Sequence, residues 1–132
     1  MARILFISSN LASSLHGGWQ CASRNLESMK RIAGEGAVDC EILPPFTVNS
    51  RANPVKRLWH ALSALTRVIF TFRINGSSLG RERRIIEKLK QQSYTHIFVD
   101  SSLNGLLIRK IKKRTDVRVI VFFHNCEFSF IR

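Results

Sequence analysis

Two short stretches of this 132-residue chain carry side chains that could do chemistry. His124-Asn125-Cys126-Glu127 follows the most apolar run of the sequence, Val117 to Phe123. Polar side chains so placed can hydrogen-bond sugar hydroxyls, and a neutral imidazole can take or give a proton near neutral pH. The plainer counterpart is a loop whose histidine caps a backbone carbonyl. Gly17-Gly18 is the second stretch, between the apolar run Ile4 to Ile7 and an amphipathic run that begins at Trp19. Glycine lets a ligand approach the backbone, and the free N–H groups of a helix start favour phosphate. A tight turn without a ligand accounts for the same pair. The spacing is not GxGxxG, and the second apolar run ends on Ile42-Leu43 rather than on an acidic residue, so a dinucleotide fingerprint is absent. His96 opens its apolar run and His60 lies inside a helical pattern, which sets both away from a site.

The elements that must position these residues are legible from periodicity. Continuous apolar runs suit strands buried on both faces, which predicts strands near residues 3–8, 95–100 and 117–123. Val38, Cys40 and Ile42 alternate with Asp39 and Glu41 and predict a strand over 38–43, closed by Pro44-Pro45. Trp19, Ala22, Leu26, Met29 and Ala33 recur at three- and four-residue steps, as one stripe of a helix that Gly34 and Gly36 end. Ile85, Ile86 and Leu89 mark a helix from Arg81 to Gln92. Leu103, Leu107 and Ile111 mark another, with Ser101 or Ser102 as its cap. Alternation of strand and helix implies an α/β domain: a parallel sheet with right-handed crossovers and helices on both faces. Ligands of such sheets bind outside the carboxyl ends of the strands. Those ends are Ser8 to Gly18, Pro44-Pro45, Asp100-Ser101 and His124 to Glu127.

A further helical pattern runs from Pro54 to about Ile74 and is basic. At about 100° per residue Leu58, Leu62, Leu65, Ile69 and Phe72 share one face. Lys56, Arg57, His60, Ser63, Arg67 and Thr71 share the other, with Trp59 and Phe70 on the flanks. Arg67 inside the segment argues against a transmembrane span, which needs about 20 mostly apolar residues. Two roles are open to it. The apolar face can cover the domain's own sheet, or Lys56, Arg57, Trp59 and Arg67 can meet an anionic lipid surface.

Composition bounds the rest. Hydrophobic residues make up 45% of the chain, enough for one packed domain. Cys21, Cys40 and Cys126 are widely spaced and odd in number, which points away from a disulfide framework or zinc site and toward a reducing cytoplasm. The net charge of +12, from 21 Lys+Arg against 9 Asp+Glu, calls for an anionic partner. Arg109-Lys110-Ile111-Lys112-Lys113-Arg114 sits at a helix C-terminus, where the helix dipole favours cations. No zinc-finger or aromatic RNA-binding signature accompanies it, so no nucleic acid is expected.

The opening Arg3-Ile4-Leu5-Phe6-Ile7-Ser8, Gly17-Gly18 with its helix, Ile97-Phe98-Val99-Asp100-Ser101 and Phe123-His124-Asn125-Cys126-Glu127-Phe128 together resemble one known pattern. It is the N-terminal, acceptor-side domain of GT-B class glycosyltransferases, in the retaining group that builds bacterial polysaccharides and glycolipids. The resemblance implies a Rossmann-like domain, incomplete at its C-terminal end. It implies a nucleotide-sugar donor, which is a substrate, and no separate cofactor or metal. The acceptor would be a glycan or lipid-linked molecule at the inner face of the membrane. By the same likeness Gly17 and Gly18 lie by the donor diphosphate, and His124 is the catalytic residue beside the transferred sugar. Asn125 and Glu127 carry over as donor-binding. Such enzymes carry a second domain with an E-x7-E pair that grips the nucleotide. The sequence ends at Arg132 without that pattern, so the 132 residues are expected to be a partial domain with no transferase activity alone. The alternative is a small basic Rossmann-like module that binds nucleic acid or another anionic partner.

Overall fold

The computed structural model describes residues 2–12, 17–43, 54–55, 58–59, 62, 65, 79–100 and 104–123. In chain order these hold β1 (Ile4–Ser8), α1 (Gly17–Ala33), β2 (Val38–Ile42), α2 (Leu79–Gln91), β3 (His96–Asp100), α3 (Gly105–Arg114) and β4 (Arg118–Val121). Pro54, Val55, Leu58, Trp59, Leu62 and Leu65 also have helical backbone. The strands form one sheet in the order β2-β1-β3-β4, and every pairing is parallel. The fold is therefore the Rossmann-like α/β arrangement that the alternation of apolar runs predicts.

The two faces of the sheet follow from the period of two along each strand. Phe6 and Phe98 point to one face, where they stack with ring centroids 5.2 Å apart. Leu11 and the stripe Leu26, Met29 and Ala33 of α1 pack around them, with Phe122 stacked beyond Phe98. Leu5, Ile7, Ile97 and Val99 point to the other face, beneath Ile85, Ile86 and Leu89 of α2 and Leu107 and Ile111 of α3. Helices thus cover both faces, as a sheet buried on both sides requires.

Local chemistry sets the boundaries. Gly34 ends α1 with φ 97°, a backbone conformation that side-chain-bearing residues rarely adopt, and its N–H donates to the Lys30 carbonyl at 2.9 Å. Lys30 and Arg31 occupy the last turn of α1, where the negative end of the helix dipole favours them. Asn104 immediately precedes α3, and the expected caps Ser101 and Ser102 lie outside the described residues. The outer strands are less covered than the alternation suggested. Val38 is buried, but Cys40 and Ile42 on the same face of β2 are exposed.

Candidate functional site

The sheet order defines where a ligand crevice belongs. From β1 the chain winds through α1 to β2 on one side, while β3 lies on the other side of β1. The connection after β1 leads to α1 on the Phe6 face, and that after β3 leads to α3 on the opposite face. Connections that diverge from adjacent strands open a crevice at their carboxyl ends, the topological switch point.

Two polar side chains meet at that point. Ser8 ends β1 and Asp100 ends β3, directly opposite in register, and both are fully buried. The Ser8 hydroxyl donates to Asp100 Oδ2 at 2.7 Å, and Asn10 Nδ2 donates to the same oxygen at 3.1 Å. Ser8 Oγ also accepts from the backbone N–H of Asn10 at 3.1 Å. A carboxylate buried beside a strand end thereby fastens the first turn of the β1–α1 connection, Asn10–Ala12. Leu11 in that turn is tied to the apolar cluster beneath. Asn104 is buried at the start of α3, on the same rim. These residues are suited to positioning. They hold the rim's geometry, so that the connection running on to Gly17 leaves β1 in a fixed direction.

Gly17 and Gly18 form the first turn of α1 rather than a loop ahead of it. Their N–H groups are among the first four of the helix, which lack intrahelical acceptors. No acidic side chain occupies that turn, so nothing there opposes an anion. β4 ends at Val121, and Phe122 continues along the rim with its N–H on the Val99 carbonyl at 2.9 Å. His124, Asn125 and Glu127 follow, and lie outside the described residues. Lys56, Arg57 and Arg67 lie outside them as well, while Trp59 is described and exposed. Sequence reasoning identified Ser8 and Asp100 as strand-end residues but not as a pair. The signal available was a hydroxyl and a carboxylate, each closing an apolar run.

The amino rim has its own cluster. Arg3 bridges Asp39 at 3.1 Å and lies over the Tyr94 ring, 5.2 Å from its centroid. The Tyr94 hydroxyl donates to Asp39. That hydrogen bond, with Arg3 adding to it, holds the Asp39 carboxyl below the usual carboxylate range. Burial, and then the Asp39 charge, push the Tyr94 phenol well above its ordinary value. Two open depressions lie at this rim. One, about 560 Å³, is lined by Tyr94, Thr95, His96, Asp116, Val117 and Arg118. The other, about 540 Å³, is lined by Ala2, Arg3, Gly34 and their neighbours. Both sit at the amino ends of the strands, away from the switch point, and their charged groups already satisfy one another or face solvent. We read this rim as structural.

The basic run of α3 is also partly committed. Lys110 donates to the buried Glu82 carboxylate of α2 at 2.6 Å, and Ile111 is in the core. Lys112, Lys113 and Arg114 remain as the solvated last turn. Among the described residues no group of three or more His, Cys, Asp or Glu is arranged to hold a metal ion. Among them, too, no helix is long and apolar enough to cross a membrane. No family model, characterised protein or solved structure matches the chain.

Proposed function

We propose that this chain is the acceptor-side part of a glycosyltransferase that moves a sugar from a nucleotide-sugar donor to a polysaccharide or lipid-linked acceptor. The observation that supports this reading best is the switch-point crevice between β1 and β3, with Gly17-Gly18 opening the helix that follows β1. In this reading the N–H groups of the first turn of α1 face the donor diphosphate, whose charge the helix dipole favours. His124, three residues beyond β4, stands by the transferred sugar, with Asn125 and Glu127 as further hydrogen-bonding groups. Asp100, Ser8 and Asn10 act through the loop they hold. The nucleotide would be gripped by a second domain, because half a cleft neither orients a donor nor excludes water from it.

The test is a transfer assay on the protein, with a panel of radiolabelled nucleotide sugars and a membrane or glycan extract as acceptor. Label incorporated into lipid or polysaccharide supports the reading, and none across the panel overturns it. In that protein His124→Ala should lower transfer about a hundredfold while leaving the unfolding midpoint unchanged.

A further inference from the structure

Charge is unevenly shared between the two faces of the sheet. α2 and α3, which cover the Leu5 face, carry ten Lys and Arg against Glu82 and Glu87, a net +8. α1, on the Phe6 face, carries Arg24, Lys30 and Arg31 against Glu27, a net +2. Glu82 is buried and held by Lys110, which leaves Glu87 as the exposed acid of α2 and α3. Arg83, Arg84 and Lys90 of α2 and Arg109, Lys112 and Lys113 of α3 are exposed, and among the described residues none of the six pairs with a carboxylate. The helix dipole accounts for cations in a last turn, but Arg83 and Arg84 lie in the second turn of α2, out of its reach. We infer that the outer side of α2 and α3 is a docking surface for the phosphate backbone of double-stranded nucleic acid, bound without regard to sequence.

The make-up of the surface selects that occupant. Lys110 and Glu82 tie the two helices together, and packed helix axes lie about 8–10 Å apart. Arg83 and Lys90, seven residues apart, span about 10 Å of α2. A duplex presents a phosphate charge about every 1.7 Å of its axis, so such a patch meets several at once. Neither helix contains an aromatic residue, and the bases of a single strand would find nothing to stack on. A lipid interface needs apolar anchors among its cations, and Leu79 at the start of α2 is the one large apolar side chain exposed on these helices. The signatures of base-reading modules, whose lack set nucleic acid aside in the sequence, are not required of a surface that touches only phosphates. The surface is the outer side of two helices rather than the carboxyl rim, so it stands or falls apart from sugar transfer.

The experiment is fluorescence anisotropy of the protein with a short labelled DNA duplex of random sequence, repeated across a range of salt concentrations. Log affinity should fall linearly with log salt. Arg83→Gln with Arg84→Gln, and Lys112→Gln with Lys113→Gln, should each weaken binding about tenfold and lower that slope by about two. Neither pair should move the unfolding midpoint, because all four side chains are exposed. Arg24→Gln with Arg31→Gln, an equal loss of charge from α1, should change affinity less than about twofold. Polyglutamate at the same charge concentration should leave the duplex bound. No binding in dilute salt, a slope unaltered in both the α2 and the α3 variants, or an equal loss in the α1 variant overturns the proposal. So does displacement by polyglutamate, which would make this a surface for acidic protein. Tighter binding to phosphatidylglycerol vesicles than to the duplex at equal phosphate also overturns it, since the surface would then belong to lipid.

Discussion

The two rims of the sheet use the same chemical device in different surroundings. At the carboxyl rim Asp100 accepts from Ser8 and Asn10 with its side chain sealed between strands and loop. At the amino rim Asp39 accepts from Tyr94 and Arg3, but its side chain is 33% exposed and that of Arg3 42%. A hydrogen-bonded carboxylate removed from water leaves costly orphans when one partner is lost, whereas a half-exposed pair is rescued by solvent. The difference teaches where the fold commits itself. The buried cluster dictates the path of a loop toward the candidate site, and the exposed one steadies strand ends.

That contrast can be broken by measurement. Asp100→Ala should cost about 2–3 kcal/mol in urea unfolding, because it strands the buried Ser8 hydroxyl and removes a hydrogen bond from the Asn10 amide. Asp39→Ala should cost about 1 kcal/mol or less. Equal losses would erase the distinction between the rims. Tyr94→Phe removes one hydrogen bond to a carboxylate and should cost about 1 kcal/mol, again less than the loss at Asp100. The smallest effects are those of pH. The folded value of Asp39 is depressed, so its contribution is present above the ordinary carboxylate range near pH 4 and is lost as pH falls through the lower folded value. Asp39→Asn should flatten the acid limb of the stability curve. Tyr94 is shifted the other way: its contribution is full below about pH 10 and declines as pH rises toward its raised folded value. Tyr94→Phe should flatten the alkaline limb and, because its hydrogen bond is the main cause of the Asp39 depression, shrink the acid limb as well. Wild-type slopes in both variants would sever the link between this cluster and stability.

Much of the architecture was written in local pattern. The runs at Ile4 to Ile7 and Ile97 to Val99 mark strands buried on both faces, and the strands observed fall within a residue or two of those expected. Of the expected α1 stripe, Leu26, Met29 and Ala33 meet the sheet and Ala22 is buried, whereas Trp19 at its start is exposed. Coverage was less legible. The alternation of β2 marks one apolar face, yet Val38 is buried there while Cys40 and Ile42 are exposed, because alternation names a face and not how far along it other elements reach.

What the sequence by itself determined is the set of elements among the described residues and their parallel sense. Each follows from periodicity and chain reversal, which are properties of neighbouring residues. The tertiary structure decided which strands lie side by side. Only the order β2-β1-β3-β4 brings Ser8 against Asp100 across 92 positions of chain and turns two strand-end residues into one latch. It also decided the fate of the leucines of the 54–65 stretch. An amphipathic pattern says that a face seeks an apolar surface but not whose. α1, α2 and α3 cover the sheet, and Leu58, Leu62 and Leu65 belong to neither of its clusters.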